Sequence, residues 1–307
     1  MTDTASPPVP RWLRAWAGRT VVAALPLALL GAETTTRGVG MADQVSVRAP
    51  WYFFTLNLQE TPLGLLIEHG HRLFGWAVGL CAIVLAVGAQ LCVRDWRRRL
   101  GWLALVLVSA QGVLGILRVR WNALAGPELA AVHGCFAQLA FATLVAVAVL
   151  FSKSWEAAAP AGSPRKLAAL LAVLIYVQIV FGAFVRHKLD PVAQRLHVVL
   201  AFAVVGLAFS LYTRLRLGND PMVKVGRWLH MLVLVQAVFG VEAWMRRFGA
   251  GVLPELVTPT WGLDLTRSAH HLLGTVIFST SVALAVLLCR PGPAPVVTLP
   301  RPLEGAA

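Results

Sequence analysis

The sequence predicts an all-α membrane protein with eight transmembrane helices, arranged as two pseudo-symmetric antiparallel four-helix bundles. Three observations predict it. Of 307 residues, 13% are charged and 58% hydrophobic, about half the charge of a soluble domain, and the mean hydropathy is +0.71. The apolar residues gather into eight runs, most of them near the 18 or more residues that cross a bilayer. The second four runs repeat the residue pattern of the first four.

The segments fall roughly at 21–33, 71–93, 101–118, 132–151, 167–185, 196–213, 228–245 and 269–289. The first is short, and Thr34 to Thr36 extend it by a turn. Residues 1–20 are polar and basic and lack the apolar core and cleavage site of a signal peptide, so they are expected to be a cytoplasmic tail. Residues 21–151 form the N-terminal bundle, 152–166 a cytoplasmic linker, 167–289 the C-terminal bundle and 290–307 a second cytoplasmic tail. The longest loop, about 34 to 70, carries Trp51, Tyr52, Phe53 and Phe54, which suits a folded lid better than a tether.

The net charge of +13 does not point to nucleic acid, because the basic residues sit in short loops between segments rather than on one soluble face. The densest cluster, Arg94 to Arg99, is expected inside. That choice puts both termini in the cytoplasm and most Lys and Arg on the cytoplasmic side. The basic residues left outside, among them Arg118, Arg186 and Arg267, stand mostly at helix ends as interface anchors. Cys81, Cys92, Cys135 and Cys289 form no CxxC and share no loop, and are read as small buried hydrophobes. Most of the 11 tryptophans lie at segment ends, as an aromatic belt does.

Four of the eight histidines carry the repeat. His71, His133, His197 and His270 open segments 2, 4, 6 and 8, each followed four residues later by a small residue: Gly75, Ala137, Ala201 and Gly274. Positions four apart share a helix face, so each imidazole stands beside a patch with little side chain. A flat macrocycle held by the histidine needs that patch. Histidine-only ligation with such a patch favours haem over zinc. The natural pairs are His71 with His133 and His197 with His270, side by side at the outer end.

Three outward-running segments carry Gln-x-x-x-Gly: Gln111/Gly115, Gln178/Gly182 and Gln236/Gly240. Gly31 holds the same place in the first segment without a glutamine. These glutamines suit hydrogen bonding to a ligand histidine or to a neighbouring helix. Glu68 precedes His71 by three residues, whereas Gln194 and Arg267 stand before His197 and His270. One pocket thus has an acid and the other does not, which suits one working and one supporting site. Arg72 and His271 each follow a ligand directly and are candidates for pairing with carboxylates of the ring. His187, after Arg186, is a candidate for shaping the pocket. His69 is expected in the loop or lid, and His230 at the cytoplasmic side.

Taken together, these residues resemble the haem A synthase family, membrane enzymes that convert haem O to haem A for terminal oxidases. The resemblance rests on Thr34-Thr35-Thr36-Arg37-Gly38-Val39-Gly40-Met41, Glu68-x-x-His71-Arg72-x-x-Gly75, His133, Gly182-Ala183-x-Val185-Arg186-His187, His197 and His270-x-x-x-Gly274. It spans roughly 21 to 289. It implies a substrate haem near His71 and His133, with Glu68 as the essential acid, and a resident haem b held by His197 and His270. The reaction implied is two successive hydroxylations of one porphyrin methyl, the second giving a gem-diol that loses water to a formyl. The haem b would relay electrons, and Glu68 would move protons or stabilise developing positive charge. Implied partners are haem O as substrate, the lipid bilayer, haem O synthase, and a quinol or ferredoxin as electron donor, with an oligomer allowed. The lack of a transit peptide favours a bacterial plasma membrane, and the loop charges put the haem sites towards its outer face. Unlike some members, the chain has no cysteine pair in its outer loops.

Two alternatives remain open. One is a bis-His dihaem b-type cytochrome exchanging electrons with quinone, which leaves Glu68 unexplained. The other is a non-enzymatic haem-handling assembly factor. A transporter fits poorly, since no segment carries a charge at mid-membrane depth.

Overall fold

The computed structural model describes residues 8–43, 50–57, 59–156, 164–248 and 260–290. Among them are nine α-helices, one 3-10 turn at Pro50–Thr55 and no strand. The helices are α1 Arg11–Thr36, α2 Leu63–Cys92, α3 Arg98–Arg120, α4 Asn122–Phe151, α5 Lys153–Glu156, α6 Arg165–Lys188, α7 Pro191–Leu217, α8 Val223–Phe248 and α9 Thr260–Leu288. All but the four-residue α5 are long and apolar enough to cross a membrane, which makes this a multi-pass membrane protein. Residues 1–7 and 291–307 of the predicted tails and 157–163 of the 152–166 linker lie outside the described residues.

The helices are longer than the apolar runs. α1 begins at Arg11 rather than 21, because Leu13 and Ala17 at 0% and 1% exposure already belong to the core. α2 begins at Leu63, which puts Glu68 and His69 inside the helix rather than in the loop before it. α4 begins at Asn122 and bends at Ala125, where φ is −148° and ψ 39°. Pro127 lacks the N–H that would continue the ladder there. Between α6 and α7 only Leu189 and Asp190 remain, where the sequence suggested about ten residues. Leu189 takes a left-handed conformation, and Asp190 accepts a hydrogen bond from the Ala193 N–H at 2.8 Å to cap α7.

In the first half α1 packs on α2 and α4, α2 on α3, and α3 on α4; in the second α6 packs on α7 and α9, α7 on α8, and α8 on α9. The halves meet where α4 packs on α9 and α6, and α1 on α9. One apolar core joins α1, α2 and α4 through Leu13, Leu85, Val147 and Phe151, and a second joins α6 to α9 through Leu171, Leu211, Leu229 and Leu284. Large apolar side chains left exposed, such as Leu91, Val106, Phe202 and Val241, suit contact with lipid chains rather than water.

All four cysteines are free, and Cys289 is exposed, unlike the buried position expected of it. At the end of the bundle away from the histidines, Arg97 grips Asp95 through Nε and Nη2, and donates from Nη1 to the Leu150 carbonyl at 3.0 Å. This ties the α2–α3 loop to the end of α4. The other end is closed by a Schellman turn after α1. Gly38 sits at φ +68°, with Val39 N–H bonded to the Thr34 carbonyl and Gly38 N–H to that of Thr35.

Candidate functional site

Each of the four repeat histidines meets a glycine on the helix that precedes it. A Cβ added at Gly31 would lie 2.8 Å from His71 Cε1, at Gly115 3.3 Å from His133 Cε1, at Gly182 3.0 Å from His197 Cε1, and at Gly240 3.2 Å from His270 Cε1. The glycine of Gln-x-x-x-Gly therefore receives an imidazole ring, and Gly31 does the same on α1. The expected open patch four residues after the histidine is a separate feature. Gly75 has only Leu27 Cδ1 near, at 3.9 Å, while Gly274 faces Gln236 Nε2 at 3.3 Å.

The hydrogen bonds set the ring tautomers. His71 Nδ1 lies 3.0 Å from the Leu27 carbonyl and His197 Nδ1 2.9 Å from the Gln178 carbonyl. A carbonyl only accepts, so both rings carry their proton on Nδ1 and leave the Nε2 lone pair bare for a metal. Leu27 and Gln178 each stand four residues before the receiving glycine, so α1 supplies through its backbone what α6 supplies through its own.

The side-chain amides of Gln111, Gln178 and Gln236 donate to the carbonyls of His133, His197 and His270 at 3.1, 2.6 and 2.9 Å. Their Oε1 atoms are buried with no protein partner, and so is His270 Nδ1. A ring turned to offer Nε2 to a metal would let such an oxygen take the Nδ1 proton.

His197 and His270 have ring centroids 6.3 Å apart with planes at 72°. With a metal–nitrogen bond of about 2 Å, two imidazoles trans on one metal have centroids roughly 6 Å apart. The separation leaves room for one metal ion between the rings, while His270 Nε2 lies 3.4 Å from Gln236 Nε2. Among the described residues no three His, Cys, Asp or Glu side chains gather at one metal position.

Glu68, 3% exposed, has both oxygens engaged. Oε2 accepts from the Asp43 N–H at 2.6 Å and Oε1 from Arg72 Nη2. Arg72 also donates to the Asp43 carbonyl. His69, expected in the lid, is instead a buried helix residue whose Nδ1 lies 2.6 Å from Asp43 Oδ2, with Tyr52 against its ring edge at 5.4 Å. Asp43, 1% exposed, ties Glu68, His69 and Arg72 together and is not among the residues singled out from the sequence. Its only local signal is a lone acid after Gly40-Met41. Arg72 is thereby committed to two acids beside His71.

Arg186 Nη2 reaches across the halves to the Ala32 carbonyl and the Thr36 hydroxyl, both at 2.8 Å, and Ser268 Oγ donates to the same hydroxyl at 3.1 Å. His187 lines a cavity with Arg186, and His271 shares the surroundings of both. His230 stands apart, stacked on Tyr212 at 6.3 Å and packed against Phe209.

Comparison with curated proteins gave no match. A family model described as cytochrome oxidase assembly protein, COX15-CtaA, matches residues 41–195. That stretch contains Asp43, Glu68, His71 and His133 and ends two residues before His197. It covers half of the chain, and the protein therefore belongs to the COX15-CtaA family of cytochrome oxidase assembly proteins.

Proposed function

We propose that the chain is a haem A synthase, oxidising the methyl group of haem O to a formyl by two successive hydroxylations. The observation that carries this reading is the tier of four glycine-received histidines, joined to a family match in cytochrome oxidase assembly. His71 and His133 would hold the substrate, and His197 and His270 a resident haem b. The haem b, when bound, supplies electron transfer, with electrons from a quinol or ferredoxin.

The two halves differ in the way the reaction needs. Glu68 stands one turn before His71, while the corresponding places in the second half carry no acid. Held by Asp43 N–H and Arg72, its carboxylate is fixed in orientation. It can stabilise positive charge that develops on the reacting carbon, or pass a proton through Oε1 or Oε2. Preorganisation of this kind costs nothing at the moment of reaction. The positive-inside pattern supports an orientation with the histidine tier towards the outer face of the membrane and both termini in the cytoplasm.

The test is pigment analysis of membranes from a host that makes haem O but no haem A, expressing the wild type or Glu68→Gln. Haem A with the wild type and none with the variant is the expected result. Bound b-type haem without haem A from the wild type would favour an electron-transferring cytochrome instead.

A further inference from the structure

Where the two halves meet at the histidine end, Thr35, Arg118, Asn122, Arg186, His187 and Arg267 line a cavity of about 400 Å³. Its cations come from both halves. Arg118 lies in the last turn of α3, Arg186 and His187 in the last turn of α6, and Arg267 near the start of α9.

Their register is the same relative to the histidines. Arg118 lies three residues beyond Gly115, Arg186 four beyond Gly182, and Arg267 three before His270. Each is one helical turn, about 5 Å, outward of the histidine tier. The cavity thus sits just outside both candidate ring sites and between them.

Three acids at this end pair with cations outside the cavity. Glu33 pairs with Arg37 at 2.7 Å, Glu68 with Arg72, and Glu128 with Lys188 at 2.7 Å. Arg186 is held across the half–half boundary by Ala32 and Thr36, and its Nε is buried with no protein partner. A guanidinium fixed in this way, with a donor left over among two further arginines, favours a carboxylate.

We propose that this cavity is a single carboxylate seat shared by the two halves. It takes propionate groups of the macrocycles held by both histidine pairs, with Arg118 serving the first half and Arg186 and Arg267 the second. The proposal rests on the haem reading of the histidine tier and adds to it a common anchor linking occupancy of the two sites.

The test uses the full chain purified in detergent from a host unable to make haem, titrated optically with haem B and with its dimethyl ester. The ester keeps the axial ligation and removes the charge. Charge-assisted hydrogen bonds contribute about 1.5–3 kcal/mol, so the free acid is expected to bind about 10- to 100-fold more tightly. Arg118→Gln and Arg267→Gln should each shrink that ratio while the low-spin spectrum persists, and Arg118→Lys should restore part of it.

Equal affinity of acid and ester for the unaltered chain overturns the proposal, and needs no variant to fold. A preference that survives both glutamine variants also overturns it. So does phospholipid that co-purifies with the wild type and is lost in Arg186→Gln, which would assign the cavity to a headgroup phosphate. If neither haem form gives a low-spin spectrum, the haem reading itself fails, a result distinct from equal binding.

Discussion

His197 and His270 face each other at 6.3 Å between ring centroids, each backed by a glycine on the helix before it. The arrangement places two imidazoles at the separation of trans ligands on one metal, and the glycines set how far each ring can retreat. A side chain at a receiving glycine should therefore displace its ring, and the effect should follow the clearance. At Gly31 a Cβ would lie 2.8 Å from His71, and at Gly115 3.3 Å from His133. Gly31→Ala is expected to weaken haem binding in the first half by about 1–3 kcal/mol, as overpacking does, and Gly115→Ala by less. Optical titration of the two variants checks the order.

Asp43 should matter as much to folding as to chemistry. Its carboxylate faces His69 Nδ1 at 2.6 Å and Arg72 at 3.7 Å, and its N–H holds Glu68. Asp43→Ala removes the carboxylate that faces His69 Nδ1 and Arg72 and leaves a buried polar group short of its partner, at a cost of about 1–3 kcal/mol. Asp43→Asn should cost less, because it keeps a polar group and the backbone donor. Thermal unfolding in detergent, followed by tryptophan fluorescence, should rank wild type above Asp43→Asn above Asp43→Ala. Glu68→Gln should retain most of the stability while losing activity.

Much of this was legible in the sequence and some of it was not. The eight spans follow from composition, and the four histidines from their register. The sequence shows the glycines of Gln-x-x-x-Gly and the small residue four places after each histidine, but not that those glycines receive the histidine rings. The tighter constraint lies on the preceding helix, at Gly31, Gly115, Gly182 and Gly240, where only packing reveals which atom a Cβ would strike. Asp43 was invisible for a related reason. It is 26 residues from His69, and neither periodicity nor helix spacing reaches across a loop. The start of α1 was missed because Arg11, Arg14 and Arg19 dilute hydropathy there, although Leu13 and Ala17 between them are core.

Thr36 is the node that joins the halves, accepting from Arg186 and Ser268. Thr36→Val keeps the shape and removes the acceptor, which should cost about 1–3 kcal/mol by leaving buried donors short of a partner. Thr36→Ser should restore most of the loss. Unfolding midpoints of the two variants against wild type give the comparison.

At the opposite end, Asp95 links stability to pH. Burial opposes its ionisation, but the hydrogen bonds and charge of Arg97 more than offset this and hold the carboxyl below its ordinary value. A lowered folded-state value means the pair stabilises above the ordinary carboxylate range and loses that contribution as pH falls through the folded value. The pair is partly open to water, so the contribution is no more than about 1 kcal/mol. Asp95→Asn should flatten the acid limb of a stability–pH profile below about pH 4 and leave haem binding unchanged.

The most direct test of the two-site account is a low-temperature electron paramagnetic resonance spectrum of the purified chain loaded with haem. Two variants would be measured beside the wild type, His71→Ala/His133→Ala and His197→Ala/His270→Ala. Bis-imidazole ligation in each half predicts a low-spin ferric signal with two contributions, one lost in each double variant. A low-spin signal undiminished in both variants would contradict the account, because the iron would then be held by residues outside the histidine tier.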